Sequence, residues 1–577
     1  MKVDTFFQNF ELLTDAPNAV AKLRELILQL AVRGKLVTQK DDDEPASFLL
    51  ENIETEKKKL IKSKRIKKIE TLPINKDITF LFKLPKKWAL IRLGNLVEKL
   101  GAGSTPLGGK NVYVDDGVKF LRSQNVWNDG LNLEEVAYIT SEIHQKMSGT
   151  VVEAGDILLN ITGASIGRCA VVPDDFDEGN VSQHVSIIRL INKDLRHYLH
   201  LCLISSLIQN QIMEVQVGIS REGLSMNRLK DFLIPVPPLA EQKRIVEKCD
   251  RLLSICDEIE KRQQQRQESI VRMNESAIAQ LLSSQNPDDF RQHWQRICNN
   301  FDLLYSVPET IPKLRQAILQ LAVQGKLVRQ EFDDVALRYL IERITEERLA
   351  LCPNEKDKQR ILSEFEKILE ESSQGKTEEF EIPAICICDF ITKGTTPSNS
   401  ELLPEGEIPY LKVYNIVNNK IDFFYKPTYI SKTVHTTKLK RSVVFTGDVL
   451  MNIVGPPLGK VAIVPDDFPE WNINQALAVF RPVDSVYNRF MYYALSCYAT
   501  LEKVLNETKG TAGQDNLSLE QCRSLRIPLY TIETQKRIVE KCDRLMSLCD
   551  TLEAKLKQGR DSSEKLMEVA AKQVLTA

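Results

Sequence analysis

Two stretches of the chain carry apolar residues at alternating steps of four and three. The first consists of Ile245, Cys249, Leu252, Cys256 and Ile259, and the second of Ile538, Cys542, Leu545, Cys549 and Leu552. This is the a/d spacing of a heptad repeat, with charged residues in the outer positions, and it predicts a long helix in each stretch. A heptad seam needs a partner helix. Because the two stretches are near copies, each predicts the other as its partner.

Two shorter amphipathic stripes predict a further pair of helices. Their apolar positions are Leu23, Leu26, Ile27 and Leu30 in the first, and Leu314, Ile318 and Leu321 in the second. Each stripe ends before a glycine, Gly34 or Gly325, which is typical of a helix C-terminus. The segments 22–39 and 313–330 share fourteen of eighteen residues, and 242–257 and 535–550 share fourteen of sixteen. The chain is therefore an internal duplication.

Between these helices the pattern changes to short β-branched runs separated by Gly, Pro, Asn and Asp. Residues 85–235 (domain 1) and 381–528 (domain 2) have this pattern, followed in each by helical stretches, which predicts two α+β domains with twisted sheets. Their matched segments keep one order but differ in detail, as in "FLRSQNV" at 120–126 and "YLKVYNI" at 410–416. The near-identical helices are therefore expected to have the same role in both halves, whereas the divergent domains are expected to have two different roles.

These patterns predict seven consecutive segments. They are an N-terminal repeat helix (1–40), a basic linker or helical arm (41–84), domain 1 (85–235), a central spacer helix (236–285), a linker with the second repeat helix at 313–330 and a helical arm (286–380), domain 2 (381–528) and a C-terminal spacer helix (529–577).

Composition excludes several classes of protein. A chain of 577 residues exceeds one hydrophobic core, and a net charge of −2 argues against a protein that coats nucleic acid. No signal peptide and no membrane-spanning stretch are expected, so the chain is predicted to be cytoplasmic. The twelve cysteines are predicted to be reduced thiols. Cysteines in the heptad seam are interpreted as small core residues, and no metal site is expected.

No catalytic motif stands out in the sequence, and we expect no catalytic residue. "GPPLGKV" at 455–461 resembles a phosphate-binding loop, but its glycine spacing is wrong and no Ser or Thr follows the lysine.

Polar residues recur at matched places in the two domains, and they are amides, hydroxyls and cations. Such groups hydrogen-bond to base edges, since Asn and Gln pair with adenine and Arg or Lys with guanine. The alternative for each residue is backbone bonding in a turn. The candidates for DNA contact are Ser104, Thr105, Arg122, Ser123, Gln124, Asn125, Thr162, Arg168, Gln183 and Arg221 in domain 1, and Thr395, Thr396, Lys412, Tyr414, Asn415, Gln475, Lys509 and Gln514 in domain 2.

One further run, "KKKLIKSKRIKK" at 57–68, has eight basic residues of twelve. It is interpreted either as a solvated helical face or as an arm that contacts phosphates.

The whole arrangement resembles the specificity (S) subunit of a type I restriction–modification system. The resemblance rests on "PPLAEQKRIVEKCDRLLSICD" at 237–257, its copy at 534–550, and the helices "KLRELILQLAVRGKLV" and "KLRQAILQLAVQGKLV". It covers nearly the whole chain. One departure is "LYTIETQKRIV" at 529–539, where the Pro-Pro-Leu before the first long helix has no counterpart, so the two long helices differ at the start.

The resemblance implies a function in double-stranded DNA recognition without catalysis. Domains 1 and 2 would be target recognition domains, each reading half of a bipartite site, and the helices would form an antiparallel coiled-coil spacer. Two methyltransferase (M) subunits would dock on the copied helices, and restriction/motor (R) subunits would join through the complex. S-adenosylmethionine, ATP and Mg²⁺ would bind to those partners, with no cofactor on this chain.

Three alternatives remain open on sequence grounds. The first is a fused enzyme that methylates or cleaves DNA by itself. The second is a coiled-coil scaffold that binds only proteins, which predicts no sequence-specific DNA affinity and no steep salt dependence. The third is a specificity subunit of a methylation-only or defence system that lacks a nuclease.

Overall fold

The architecture was analysed in a computed structural model. It describes residues 16, 18–66, 70–71, 73, 82–108, 112–214, 223–328, 334–352, 354–374, 380–455, 457–506 and 516–576. The chain divides into two compact units. Unit 1 is Met1–Gln265 with Gln558–Ala577, and unit 2 is Arg266–Lys557. The units are therefore not consecutive segments, because the C-terminal end of the chain belongs to unit 1.

Unit 1 contains domain 1 and the helices around it. Its helices are α1 (Ala19–Val32), α2 (Ala46–Lys62), α3 (Ser141–Lys146), α4 (Arg196–Ile204), α5 (Ser206–Glu214), α6 (Met226–Leu229) and the first part of α7 (Leu239–Leu282). Its strands are β1 (Ala89–Arg92), β2 (Val97–Ala102), β3 (Tyr113–Val114), β4 (Val118–Leu121), β5 (Val126–Trp127), β6 (Gly130–Leu131), β7 (Ala137–Ile139), β8 (Val151–Val152), β9 (Ile157–Asn160), β10 (Cys169–Val171), β11 (Gly179–Val181), β12 (Val185–Leu190) and β13 (Leu233–Val236).

Domain 1 is built around two sheets. One has the strand order β10-β9-β12-β2 and the other β3-β7-β4-β11-β8, while β1 pairs with β13 and β5 with β6. All residues of β9 and β12 are buried. Their side chains alternate between two apolar clusters, so that Leu158 and Ile187 belong to a different cluster from Leu159 and Ile188. This alternation follows from the two-residue period of a strand.

Unit 2 repeats this plan. Its helices are the last part of α7, α8 (Pro287–Asn299), α9 (Phe301–Leu304), α10 (Ile311–Val323), α11 (Asp334–Leu351), α12 (Glu355–Gln374), α13 (Ala384–Ile387), α14 (Lys432–Thr436), α15 (Asn488–Ser496), α16 (Tyr498–Asn506), α17 (Leu519–Ser524) and the first part of α18 (Ile532–Thr576). Its strands are β14 (Glu381–Pro383), β15 (Cys388–Lys393), β16 (Ile408–Leu411), β17 (Ile416–Val417), β18 (Lys420–Ile421), β19 (Tyr429–Ile430), β20 (Val443–Val444), β21 (Val449–Asn452), β22 (Val461–Ile463), β23 (Trp471–Ile473), β24 (Leu477–Pro482) and β25 (Arg526–Pro528).

The sheets of domain 2 match those of domain 1, except that β3 has no counterpart among the strands described in domain 2. Their strand orders are β15-β24-β21-β22 and β19-β16-β23-β20, with β14 paired to β25 and β17 to β18. An ion pair between an arginine and a buried aspartate is copied as well. Arg189 donates to both carboxylate oxygens of Asp156 at 2.7 and 2.8 Å, and Arg481 donates to both of Asp448 at 2.8 and 2.7 Å. The bidentate geometry satisfies each buried carboxylate.

The long helices run antiparallel within unit 1. Along the chain from Lys22 to Lys35, the bonded partners on α18 advance from Glu564 to the carbonyl of Leu575. From Arg24 to Gln39, the bonded partners on α7 go backwards, from Asp257 to Glu241. The predicted antiparallel coiled-coil helices are therefore confirmed.

The expected pairing of the two copied seams is wrong. Ile245, Cys249 and Cys256 belong to the apolar cluster of unit 1, with Leu252 and Ile259 packed against it. Their partners there are α1, the helices of domain 1, and Met567 and Val574 near the end of α18. Ile538, Cys542 and Cys549 belong to the cluster of unit 2, with Leu545 and Leu552 packed against it. In an antiparallel pair the start of one helix meets the end of the other, so the near-identical starts lie in different cores.

The repeat helices dock through copied ion pairs. Arg24 Nη2 lies 2.5 Å from an oxygen of Asp257 and 2.9 Å from one of Glu260. Arg315 Nη2 lies 2.7 Å from Asp550 and 2.9 Å from Glu553. Since these pairs are partly exposed, they orient the helices more than they stabilise them.

Candidate nucleic-acid interface

Four segments of each domain meet where strands of the sheets end, and we call this group of segments the loop edge. They are the segments after β2, β4, β9 and β11 in domain 1 and after β15, β16, β21 and β23 in domain 2. In domain 1 the parallel strands β4 and β11 pair through Phe120 with Asn180 and Leu121 with Val181. Because parallel strands leave a sheet on the same side, the segments 122–125 and 182–184 lie next to each other. In domain 2, β16 and β23 pair in the same way through Leu411 with Ile473. This brings the segments 412–415 and 474–476 together.

A glycine lets the third segment cross closely over the second. The Gly103 N–H donates to the Val185 carbonyl at 2.9 Å and the Ser104 N–H to the Val181 carbonyl at 3.1 Å. A Cβ on Gly103 would lie 2.1 Å from that Val181 oxygen, and one on Gly394 would lie 2.2 Å from the Ile473 oxygen. The shared sequences "GSTP" and "GTTP" thus reflect one close backbone approach, which only glycine permits.

In domain 2 a tyrosine also fixes this crossing. The Tyr410 hydroxyl donates to the Thr395 carbonyl at 2.8 Å. Burial raises the pKa of Tyr410 to about 12. The hydroxyl therefore keeps its proton, and with it this hydrogen bond, at any physiological pH.

The fourth segment follows β9 or β21. In domain 1 the Ile161 N–H donates to the His184 carbonyl at 2.9 Å, and the Thr162 hydroxyl is 2.5 Å from His184 Nδ1. In domain 2 the Ile453 N–H donates to the Ala476 carbonyl at 2.9 Å. Each loop edge is therefore tied together by backbone hydrogen bonds, which leaves its outward side chains free to differ.

Most of the candidate residues that the structure describes lie on these loop edges. Exposed ones are Ser104, Thr105, Gln124, Gln183, Thr395, Thr396, Tyr414 and Gln475, and partly buried ones are Arg122, Ser123, Thr162, Arg168 and Lys412. The Thr105 hydroxyl bonds to the Gln183 side chain across two segments. Arg122 Nη2 donates to the Glu135 carbonyl at 3.3 Å. Arg221, Lys509 and Gln514 lie outside the described residues.

Two candidates are corrected. Asn125 and Asn415 are buried, at 2% and 1% exposure, and therefore cannot reach a base. Asn125 Oδ1 accepts from the Arg122 N–H at 2.9 Å and its Nδ2 donates to the Asn132 carbonyl at 2.9 Å. Asn415 does the same with Lys412 and Asp422. These amides build the turn, which is the alternative that the sequence left open.

Exposed aromatic residues at the loop edges were missed. In domain 1, Trp127 is 41% exposed, and its Nε1 donates to the Gln124 carbonyl at 2.8 Å. The Arg168 guanidinium lies 3.8 Å from the Trp127 ring centroid. In domain 2, Phe424 is 70% and Tyr425 is 51% exposed. The available signal was an aromatic residue in a polar turn, where no core position calls for it.

The basic residues at 57–68 do not all have the same role in the part of this run that the structure describes. Lys57 is buried, and its Nζ donates to the Gly94 carbonyl at 2.6 Å, which fixes α2 to domain 1. Lys58 and Lys59 pair with Glu54 and Glu56 on the same helix. Residues 67–69 lie outside the described part. The described basic residues before Lys62 thus resemble a solvated helical face more than a free basic arm.

The seam cysteines are core thiols. Burial raises the pKa of Cys256 to about 11 and that of Cys542 to about 12, and it raises the pKa of Cys249 as well. Among the residues that the structure describes, no group of His, Cys, Asp or Glu could hold a metal ion. None of the described helices is long and apolar enough to cross a membrane.

The chain is similar to known proteins over most of its length. A model described as "Type I restriction modification DNA specificity domain" matches residues 85–268 and again 376–559. Over 94% of its length the chain is 28% identical to the EcoEI specificity subunit and 27% identical to the EcoAI specificity subunit of Escherichia coli type I restriction enzymes, covering 92% of each. A chain from a solved structure concerning "complex assembly and conformational transition of the type I R-M system" is 17% identical, with a TM-score of 0.49 over 86% of this chain and 99% of that one.

Because the family model matches each domain together with the start of the long helix that follows it, the protein has two DNA specificity domains. The chain belongs to the type I restriction modification DNA specificity domain family, as the specificity subunit of a type I restriction–modification system.

Proposed function

We propose that each loop edge reads one half of a bipartite DNA sequence, and that this chain carries no catalytic step itself. The observation that supports the proposal most is a shared frame with different side chains. Gln124, Trp127 and Arg168 of domain 1 stand where domain 2 has Tyr414, Val417 and Lys460. A constant frame with exchanged contact groups is what two different half-sites require.

The exposed side chains suit base readout by hydrogen bonds. Gln124, Gln183 and Gln475 offer amides for adenine, and Arg168 and Lys412 offer donors for guanine. Lys460 and Lys412 supply positive charge for phosphates, although the net charge of the whole chain is −2. The proposal therefore places base contacts and phosphate contacts on the same edge, as in other duplex readers.

We further propose that two copies of one methyltransferase subunit dock on the copied helices. Packing alone does not require exposed residues to be identical, yet several exposed residues of α7 are identical to their α18 equivalents. They include Lys243, Glu247, Lys248 and Arg251, matched by Lys536, Glu540, Lys541 and Arg544. A common partner explains identical solvent-facing residues. Restriction/motor subunits join through the methyltransferase, and the partners bind S-adenosylmethionine, ATP and Mg²⁺. A subunit that reads chromosomal DNA acts in the cytoplasm.

The test is adenine-methylation mapping of the host genome with and without this gene. We expect deletion to remove methylation at one interrupted motif, and re-introduction to restore it. Exchanging residues 85–235 for the equivalent domain of a relative should then change one half of the motif only. Retention of the motif after deletion would contradict the proposal, and a change in both halves would contradict independent reading by the two domains.

The rival scaffold function makes a different prediction. A protein-only scaffold would form the complex without raising its affinity for any DNA sequence. The purified complex should instead bind one duplex sequence over scrambled DNA, with an affinity that falls steeply as salt rises.

A further inference from the structure

Domain 2 displays two aromatic side chains on a short segment, Asp422–Thr428, which we call the aromatic tip. Phe424 is 70% exposed and Tyr425 is 51% exposed. Burying large aromatic side chains is strongly favourable, so two adjacent exposed rings leave apolar surface available for a partner.

The aromatic tip is held rigidly by its surroundings. Asn415 Nδ2 lies within hydrogen-bond distance of the carbonyls of Asp422, Phe423 and Tyr425, at 3.2, 3.4 and 3.1 Å. The Tyr425 N–H donates to the Asp422 carboxylate at 3.2 Å. The backbone of Lys426 is left-handed, with φ of 59°. A non-glycine residue in this conformation before a proline is strained, and strain of this kind concentrates at functional sites.

Phe423 anchors the base of the tip in the core. It is 3% exposed, and its ring packs edge-on against Tyr429, Phe468 and Trp471, with centroids 5.2, 5.6 and 5.4 Å away. With Phe423 fixed inward, its neighbours Phe424 and Tyr425 are presented to solvent. Side chains that already have little conformational freedom lose little entropy when they bind a partner.

The tip lies beside the loop edge of domain 2. The Tyr410 N–H donates to the Thr428 carbonyl at 2.8 Å, and the Tyr414 and Thr428 hydroxyls are 3.3 Å apart. Cations flank the rings, since Lys426 Nζ is 5.2 Å from the Tyr425 ring centroid and Lys412 Nζ is 5.8 Å from that of Tyr414. An aromatic ring with a lysine beside it matches a base with a phosphate beside it better than it matches an apolar protein groove.

Domain 1 has a different surface at the same place. Asn125 holds the Asn132 carbonyl as Asn415 holds that of Asp422, so the two tips begin from the same turn. The exposed residues that follow are Glu134 and Glu135 instead of Phe424 and Tyr425. Carboxylates cannot enter a base stack, and they repel phosphates.

We propose that Phe424 and Tyr425 insert against a base step of the half-site read by domain 2, and partly unstack it, while domain 1 leaves its half-site stacked. The proposal rests on the proposed function and adds a specificity-determining element to it. Apolar side chains that enter between base pairs unstack the step and kink the duplex. The bound DNA is therefore distorted at one half-site only, and preference for a flexible pyrimidine–purine step at that position follows.

The experiment uses the full chain in complex with its methyltransferase subunit and its mapped target duplex. 2-Aminopurine replaces each adenine in turn, and thymines are probed with permanganate. Methyltransferases flip their target base, so a signal is expected at the methylated adenine of both half-sites. We expect an additional signal in the domain 2 half-site alone, and its loss in the double variant Phe424→Ala/Tyr425→Ala, together with at least tenfold weaker binding.

The matched control is Tyr339→Ala, which removes a ring that is 67% exposed on α11, a helix that contributes no segment to the loop edge. It should leave both the extra signal and the affinity unchanged. Sequence-specific binding without any extra signal would overturn the proposed insertion and leave the proposed function intact. Absence of sequence-specific binding by the wild-type complex would instead overturn the proposed function. If the double variant no longer co-purified with the methyltransferase subunit, the tip would be a protein contact and the proposed insertion would be wrong.

Discussion

The Arg168 guanidinium carbon lies 3.8 Å from the centroid of the Trp127 ring, on the loop edge of domain 1. The contact joins the segment after β9 to the β5–β6 hairpin. Stacking holds the guanidinium plane in one orientation while its remaining N–H groups stay available to an acceptor. A pre-oriented arginine of this kind suits bidentate contact with guanine.

Replacing Trp127 by alanine is expected to weaken binding to the half-site read by domain 1. Loss of a cation–π contact removes about 0.5–1 kcal/mol, and loss of a stacking surface for a base removes about 1–3 kcal/mol. The measurement is the Kd of the complex for duplexes altered in one half-site at a time. Val417→Ala, at the matching position of domain 2, is the control, and it should leave the preference at the domain 1 half-site unchanged. If both variants weakened binding to the domain 1 half-site equally, Trp127 would have no specific role in reading it.

The amide side chains of the loop edge should fall into two classes, those that stabilise the fold and those that contact DNA. Asn415→Ala removes hydrogen bonds to the carbonyls of the aromatic tip in a buried turn, so we expect it to lower the free energy of unfolding by about 1–3 kcal/mol. Gln475→Ala, an exposed amide on the same edge, should leave stability unchanged and lower DNA affinity. Thermal unfolding and duplex binding measured on both variants check the assignment. Unchanged stability of Asn415→Ala would restore that residue as a candidate reader.

Gly103→Ala is expected to displace the crossing segment of domain 1. Its Cβ would lie 2.1 Å from the Val181 oxygen and 2.4 Å from the Ser182 oxygen, and backbone atoms cannot give way locally. Reading of the domain 1 half-site should be lost, while the domain 2 half-site is still recognised. Gly101→Ala, two residues earlier, meets nothing within 4 Å and serves as the control. Methylation mapping of both variants measures the outcome.

Low pH should weaken the contact between α7 and the linker that follows α1. Two hydrogen bonds from Arg244, one of them 3.0 Å long, lower the pKa of Asp43. A carboxylate with a lowered pKa stabilises the fold above its unfolded-state pKa, and this stabilisation is lost as pH falls through the folded-state pKa. Asp43→Asn should flatten the pH dependence of unfolding below about pH 4, whereas Asp42→Asn, its exposed neighbour, should not. Parallel acid titrations of the two variants decide between these results.

The duplicated organisation could be predicted from sequence because it depends on local patterns. The heptad stripes and the terminal glycines specify helices without any knowledge of tertiary contacts, and Gly34 and Gly325 do adopt left-handed backbone, with φ of 67° and 66°. The partner of each seam could not be predicted in this way. A stripe shows that a face is buried, but it does not identify the helix end that covers it.

The candidate site was predictable only in part. The loop edges could be predicted from the ends of the strands and from the matched turns, because the order of the segments is the same in both domains. Whether an asparagine such as Asn125 faces the solvent or its own turn depends on one side-chain rotamer, which the pattern of residues along the chain does not show. Trp127 and Phe424 could not be predicted as surface residues, because large aromatic residues in a β-rich domain are usually buried. Their exposure became apparent only in three dimensions.

Lengthening the continuous helix α7 is expected to change the spacing between the two half-sites. This helix passes from unit 1 to unit 2 between Gln265 and Arg266 without a break. Four inserted residues lengthen a helix by about 6 Å, which corresponds to about two base pairs at 3.4 Å per step. We expect a four-residue helical insertion after Gln265, matched by one after Lys557 in α18, to lengthen the gap in the methylated motif by one to three base pairs. The half-sites themselves should stay the same, because the loop edges are untouched. A four-residue insertion in the loop after β3 controls for the added length, and an unchanged gap in the helix variant would show that these helices do not set the spacing.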